Sequence, residues 1–226
     1  MFLLSKEVLM VKINLYLIQM SKERNITNLP LDGGLLCLDF VNTVQTRKKL
    51  PSHEYLPDYP SFLEWCAKLN ITDQNEINTF KSIAVKSPAK AITAYHHIFI
   101  AREILYKFFS AKAAGSEIQN DVLDRFNELL TESLSHIGFQ NSVKGPHEIW
   151  INEQNDLVAP LWKVLKSAYD ILTADESKYV KECPACGWLF LDKSRTHTRR
   201  WCNPLECGSV DKATRYYHRM KAKKKV

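Results

Sequence analysis

The sequence predicts an α+β protein, in which a mainly helical N-terminal domain with a short β-hairpin precedes a small C-terminal four-cysteine zinc finger with a basic helix. Two observations support this fold class. Amphipathic runs with helix-start signals follow one another between residues 61 and 173. Four of the six cysteines lie as two close pairs near the carboxyl end. A chain of 226 residues with 45% hydrophobic composition can bury one substantial core and a smaller one.

Residues 1–24 are predicted to be an extension that precedes the first domain. The apolar stretch from Leu9 to Met20 is interrupted by Lys12 and Asn14, which makes it too short and too polar to span a bilayer. It also lacks a small-residue cleavage site. Met20 opens a segment that is typical of a cytoplasmic start, so the native start need not be Met1. We therefore expect a cytoplasmic location and no membrane partner.

Helices are expected to follow. A buried helix is predicted from Leu35 to Thr46, since apolar residues occupy most of its faces. Ser61 with Glu64, and Asp73 with Glu76, form capping-box patterns that begin the next two helices. The later predictions are Ala89 to about Ala114, entered through Ser87-Pro88 and closed by Gly115, then about Ile118 to Ser135, and about Asp156 to Thr173.

The hydrophobic period changes between Gly138 and Ile151. A Lys-Gly-Pro turn there separates two short runs, which predicts a β-hairpin. Arg47 to Pro60 is a polar, proline-punctuated segment that we interpret as a surface lid or a connector.

Three polar residues fall on otherwise apolar helix faces: Asp39, Asn42 and Arg102. Asp39 and Asn42 are three residues apart and share a face. The favoured interpretation is that they bond neighbouring backbone and fix the packing. In the functional alternative, the three side chains line a pocket for an unidentified small molecule, or Arg102 pairs with Asp39 in the interior.

The cysteine spacing indicates a metal site. Cys183 and Cys186 form one pair, and fifteen residues separate them from the pair Cys202 and Cys207. Such spacing is typical of a closed, tetrahedral, structural zinc site with four thiolate ligands. Disulfides, a redox pair, an iron site and unrelated core cysteines are the alternatives. Nothing marks the chain as secreted, and a redox pair would leave the second pair without a role. Cys37 and Cys66 lie in apolar runs, as buried free thiols do.

The carboxyl end is strongly basic. Residues 178–226 carry thirteen Lys and Arg against four Asp and Glu, a formal charge of +9, whereas the preceding residues carry −3 (18 minus 21). A helix is expected after Cys207, with Val210, Ala213, Tyr217 and Met220 packing against the aromatic knuckle at residues 188–190.

A compact basic surface is the electrostatic footprint of nucleic-acid binding, and a solvated tail is the alternative for residues 221–225. The candidate nucleic-acid-binding residues are Arg195, Arg199, Arg200, Lys212, Arg215, Arg219 and Lys223.

Two segments resemble known families. The stretch Gly33-Gly-Leu-Leu-Cys-Leu-Asp-Phe-Val-Asn-Thr43 resembles the start of the ABATE domain. The stretches Cys183-Pro-Ala-Cys-Gly-Trp-Leu-Phe, Arg199-Arg-Trp-Cys-Asn-Pro-Leu-Glu-Cys-Gly and Lys212-Ala-Thr-Arg resemble the CGNR zinc finger. The resemblance implies an ABATE-like domain over residues 25–174 and a zinc finger over residues 178–226, with the four cysteines as zinc ligands. It departs from the family at Ser209 and Val210, which stand in place of Asn-Arg.

The resemblance also implies a stress-induced transcription regulator that binds DNA. We expect a zinc-dependent regulator whose N-terminal domain senses a ligand or mediates dimerisation. One small finger offers few base contacts, so we hypothesise a homodimer. The alternatives are an RNA-binding or protein-interaction adaptor, and a small-molecule-binding or enzymatic N-terminal domain.

The sequence contains no GxSxG, phosphate-loop, dinucleotide or HExxH motif, so no catalytic residues are predicted. Loss of zinc is expected to unfold about 45 C-terminal residues and leave the helical domain folded.

Overall fold

The computed structural model describes residues 24–48, 52–151 and 155–223. Except for Arg24, the predicted N-terminal extension lies outside the described residues. Within them the chain forms helices and two short hairpins, which confirms the predicted fold class. The helices are α1 (Leu36–Val41), α2 (Tyr59–Lys68), α3 (Gln74–Lys86), α4 (Pro88–Ala114), α5 (Asn120–Leu134), α6 (Ala159–Thr173) and α7 (Cys207–Lys223). The antiparallel hairpins pair β1 (Ile137–Ser142) with β2 (Gly145–Trp150), and β3 (Val180–Glu182) with β4 (Leu189–Leu191).

Local side-chain bonds set the helix starts. The predicted capping box at α3 is confirmed, since Asp73 accepts from Glu76 N at 2.9 Å and Glu76 Oε2 accepts from Asp73 N at 3.0 Å. The predicted start at Ser61 is wrong by nearly a turn. Asp58 caps α2 instead, with its Oδ1 accepting from Ser61 N at 2.9 Å, and Pro60 suits the first turn.

The first helix, α1, lies at the centre of the molecule. Cys37, Leu38, Phe40 and Val41 have no exposed surface, and the helix packs against α4, α6 and β4. The helix ends at Val41 and does not continue to Thr46 as predicted. Beyond the end of the helix, the Thr43 hydroxyl donates to Phe40 O at 2.8 Å, and the Asn42 side chain donates to Leu189 O of β4 at 2.8 Å.

The zinc finger and the helical domain share one hydrophobic core. Asn42 Nδ2 donates to Leu189 O at 2.8 Å, and Leu189 N donates back to Asn42 Oδ1 at 2.9 Å. Trp188 Nε1 donates to Val44 O at 2.7 Å. Trp188, Leu189 and Phe190 are buried among the helical-domain residues of this core. A short 3-10 helix at Asp175–Tyr179 forms the link between α6 and β3. In the described part of the chain, no helix combines the length and apolar character needed to cross a bilayer.

Candidate zinc centre and basic surface

The β3–β4 turn and the start of α7 bring the four predicted cysteines together. Cys183 and Cys186 lie in the turn, where Gly187 N donates to Cys183 O at 2.8 Å and Gly187 has a φ of 77°. A side chain is strained at this φ, and a Cβ there would lie 2.8 Å from Arg47 Cβ. Glycine therefore allows the turn to fold tightly against the helical domain. Cys207 is the first residue of α7.

The four sulfur atoms have the spacing that zinc requires. They lie within 4.8 Å of one another, with 3.5 Å between Cys186 Sγ and Cys202 Sγ and 3.6 Å between Cys202 Sγ and Cys207 Sγ. In a tetrahedral thiolate site with Zn–S bonds of about 2.3 Å, neighbouring sulfurs are about 3.8 Å apart. The donor set and its spacing therefore fit a closed structural site with no position left for water.

Mutual crowding raises the pKa of two of the four thiols, Cys186 and Cys202. The hydrogen bond to Cys183 raises the pKa of Cys202 far above the usual thiol range, and the bond to Cys183 likewise raises the pKa of Cys186. Four adjacent thiolates repel one another without a positive ion between them. A bound zinc ion supplies that charge, and its binding must displace thiol protons.

A helical domain fused to a four-cysteine finger defines a metal-stabilised two-part protein. Residues 34–175, more than half of the chain, match the family model ABATE, described as "Putative stress-induced transcription regulator". Residues 180–220 match the CGNR zinc finger. The chain belongs to the ABATE family and carries a CGNR zinc finger with structural zinc as its cofactor. No curated protein matches the chain.

Most of the predicted basic residues point into solvent. The side chains of Arg195 and Arg200 are exposed in the loop before α7, and Arg199 between them is half-buried. On α7 itself, Lys212, Arg215 and Arg219 are exposed, and Arg215 Nη2 lies 2.9 Å from Asp211 Oδ2. The Lys223 side chain lies outside the described residues. The structure therefore places six of the seven predicted cations on one module.

An ion pair between half-buried Lys181 and buried Asp192, which sequence reasoning missed, shapes the basic loop. Lys181 Nζ donates to Asp192 Oδ2 at 2.7 Å, and to the carbonyl oxygens of His197 at 2.6 Å and Arg199 at 3.2 Å. Asp192 Oδ2 also accepts from Arg199 N at 2.9 Å. Burial opposes ionisation of Asp192, yet the bonds from Lys181 and Ser194 hold its pKa below the usual range. The sequence feature that could have indicated this ion pair is an aspartate directly after an apolar strand.

The predicted packing face of α7 needs a correction. Val210 is 62% exposed and Ala213 is also exposed, so neither covers the knuckle. The knuckle aromatics are already buried against the helical domain, which leaves α7 no apolar surface there to cover. Gly208 instead approaches Trp201, since a Cβ at this position would lie 3.4 Å from the indole ring. The Tyr217 and Met220 side chains lie outside the described residues.

The three candidate pocket residues are held by protein groups and are not gathered around one cavity. Asp39 Oδ1 accepts from Gly33 N at 2.8 Å, and Asn42 bonds to Leu189. Arg102 makes two bonds to Glu54, at 2.7 and 2.6 Å, so it does not pair with Asp39. These contacts match the interpretation in which buried polar groups fix the packing.

Proposed function

We propose that this chain is a cytoplasmic, zinc-dependent DNA-binding transcription regulator. The observation that carries the proposal is the exposed basic surface of the zinc finger, defined by Arg195, Arg199 and Arg200 of the loop and Lys212, Arg215 and Arg219 of α7, with Lys223 following them. Among the described residues, only Arg215 of this set lies within ion-pair distance of a carboxylate. The exposed side chains of Arg195, Arg200, Lys212 and Arg219 can neutralise phosphates and release counterions.

The zinc ion has a structural part in this function. It joins Cys183 and Cys186 of the β3–β4 turn, which packs against the core, to Cys202 and Cys207, which lie just before and at the start of α7. The Lys181–Asp192 pair then sets the path of the loop that carries Arg199. The pair therefore holds the loop at Arg199 in a defined position, as recognition of a duplex requires.

The helical domain would supply control. A groove of about 500 Å³ runs between α2, α3 and α4, and its lining includes Leu63, Ala91, Ile92 and Tyr95. Its volume and apolar lining suit a small-molecule site, which favours ligand sensing as the second part of the proposal. Two copies of the chain would supply the base contacts that one finger lacks, so the proposal includes a homodimer.

Charge reversal tests the proposed DNA surface. In the full chain, Arg215→Glu with Arg219→Glu should weaken binding to a short duplex at least about tenfold and lower the salt slope by about 2. Fluorescence anisotropy across a salt series measures both quantities.

The matched control is Arg125→Glu with Lys144→Glu, which changes the net charge equally at exposed positions of α5 and the β1–β2 turn. Equal weakening by both double variants would contradict the proposal, because the finger would then contribute only net charge. Tighter binding to structured RNA than to duplex DNA would favour the adaptor alternative.

A further inference from the structure

A basic cleft lies where the finger meets the helical domain. Its volume is about 660 Å³, and two alanines at the end of α4 and Pro184 form its apolar wall. The remaining lining consists of Glu182, Thr198 and four cations: Lys48, Lys181, Arg199 and Arg200. Lys48 comes from the segment after α1, and sequence reasoning did not single it out. The cleft is thus built from both parts of the protein.

The cleft keeps an excess of positive charge after its own ion pairs are counted. Glu182 Oε1 accepts from Lys48 Nζ at 2.5 Å, and Glu182 Oε2 accepts from Ser110 Oγ at 2.5 Å. Asp192 is fully buried and pairs with Lys181. Four cations against two carboxylates leave two positive charges. The end of α4 adds a partial negative charge of roughly 0.5, which is smaller than that excess.

The arginines at the rim have donors to offer. Arg199 Nε donates to Trp201 O at 2.8 Å, and its guanidinium lies 4.8 Å from the centre of the Phe190 ring. Arg200 lies over the Trp201 ring at 5.5 Å. Within the described ranges, no acceptor bonds to the η nitrogens of either arginine. A planar guanidinium fixed against an aromatic ring is well suited to bind a phosphate in a bidentate fork.

We propose that this cleft binds a phosphate group of the nucleic-acid backbone, with Lys48 and Arg200 as direct contacts. This inference rests on the proposed function and extends it. The nucleic acid would contact not only α7 but also the junction between the finger and the helical domain. Lys48 has 43% of its side chain exposed, so its ammonium can reach a phosphate while Glu182 stays beside it. The alanine and proline wall suits the apolar face of a sugar.

Two variants of one ion pair give the test, because the proposal gives them opposite signs. Lys48→Gln should weaken duplex binding about fivefold and lower the salt slope by about 1, as expected for one lost phosphate contact. Glu182→Gln should strengthen binding about threefold, since it removes a repelling charge and frees Lys48 while Gln can still accept from Ser110. Lys166→Gln is the control, because Lys166 also pairs with carboxylates but lies on α6. It should leave binding unchanged.

The outcomes separate this inference from the function on which it rests. A wild-type chain without salt-dependent duplex binding overturns both. If Arg215→Glu with Arg219→Glu weakens binding but the Lys48 and Glu182 variants are silent or change it in the same direction, only the cleft proposal falls. The affinity of the same variants for inorganic pyrophosphate should be measured as well. If Lys48→Gln lowers and Glu182→Gln raises the pyrophosphate affinity while neither changes duplex affinity, the cleft binds a small phosphate ligand. That result would overturn the nucleic-acid assignment.

Discussion

The zinc finger has two halves that differ in their surroundings. In the first half, residues 180–194, Leu189 and Phe190 have no exposed surface and belong to the same core as α1. In the second half, residues 195–223, Val210 is 62% exposed and Tyr216 is 60% exposed. One half is therefore anchored in the helical domain, whereas the described side chains of the other half, except that of Cys202, are exposed or half-buried.

The metal cluster joins these two halves. Cys183 and Cys186 belong to the anchored half, whereas Cys202 and Cys207 belong to the exposed half. Because the anchored half packs in the same core as α1, the cluster attaches the basic surface to the helical domain. The four-cysteine cluster therefore links a strand of the core to the exposed part of the finger.

Zinc removal should have the largest effect on this arrangement. Cys202→Ser, or a strong chelator, should release zinc and destabilise the chain by more than about 5 kcal/mol. Because Cys183, Cys202 and Leu189 lie in the common core, the helical domain should lose stability as well. The expectation from the sequence, that the helical domain stays folded without zinc, is thus extended by a loss of its stability.

Helical circular dichroism during heating, together with zinc stoichiometry, measures the effect. Cys66→Ala is the control, because Cys66 is a buried thiol outside the cluster and its loss should leave one zinc ion per chain. A helical domain that melts at an unchanged temperature without zinc would contradict the prediction.

The hydrogen bonds between Asn42 and Leu189 anchor the finger to the helical domain. Removing this anchor, without changing a zinc ligand, should have the next largest effect on stability. Asn42 is 1% exposed and bonds to both backbone groups of Leu189. Asn42→Ala leaves both groups unsatisfied in the core, so the free energy of unfolding should fall by about 3 kcal/mol. Chemical denaturation measures the loss, and zinc stoichiometry should stay at one. Asn141→Ala, at an exposed position of β1, should change stability by less than about 0.5 kcal/mol.

The anchor should also respond to pH through Asp39. Burial raises the pKa of Asp39 from 3.8 to about 6, against the opposing bond from Gly33 N. Gly33 O in turn accepts from Leu191 N of the finger at 2.9 Å. Since the folded pKa lies above the unfolded one, the contribution of Asp39 to stability is complete below pH 3.8 and is lost as pH rises through about 6.

Asp39→Asn removes this titration while keeping an oxygen that can accept from Gly33 N. The difference in unfolding free energy between wild type and variant should therefore change by about 2 kcal/mol between pH 4 and pH 7, with the variant favoured at the higher pH. A difference that is constant over this window would show that Asp39 keeps an ordinary pKa.

The parts of this architecture that sequence could predict are those that local rules determine. Cysteine spacing gave the zinc centre, and short-range capping chemistry at Asp73 and Glu76 gave the start of α3. Pattern reasoning could not show that Asn42 reaches Leu189, because the two are 147 positions apart in the chain and only the tertiary fold brings them together. Pattern reasoning also assigned Val210 to a packing face of α7, although this residue is exposed. Helical period shows which residues share a face but not whether a partner covers that face.

The exposure of Val210 leads to the smallest expected effect on stability. The chain has Ser209-Val210 where the motif that names the CGNR finger has Asn-Arg, and Val210 is 62% exposed at the start of α7. Val210→Arg should therefore change unfolding free energy by less than about 0.5 kcal/mol.

If the exposed half contacts phosphates, the cation added by Val210→Arg should raise duplex affinity a few-fold and increase the salt slope by about 1. Val143→Arg, at a fully exposed position in the β1–β2 turn, adds the same charge far from the finger in sequence. An equal gain from both variants would show that net charge, and not position on α7, sets the affinity.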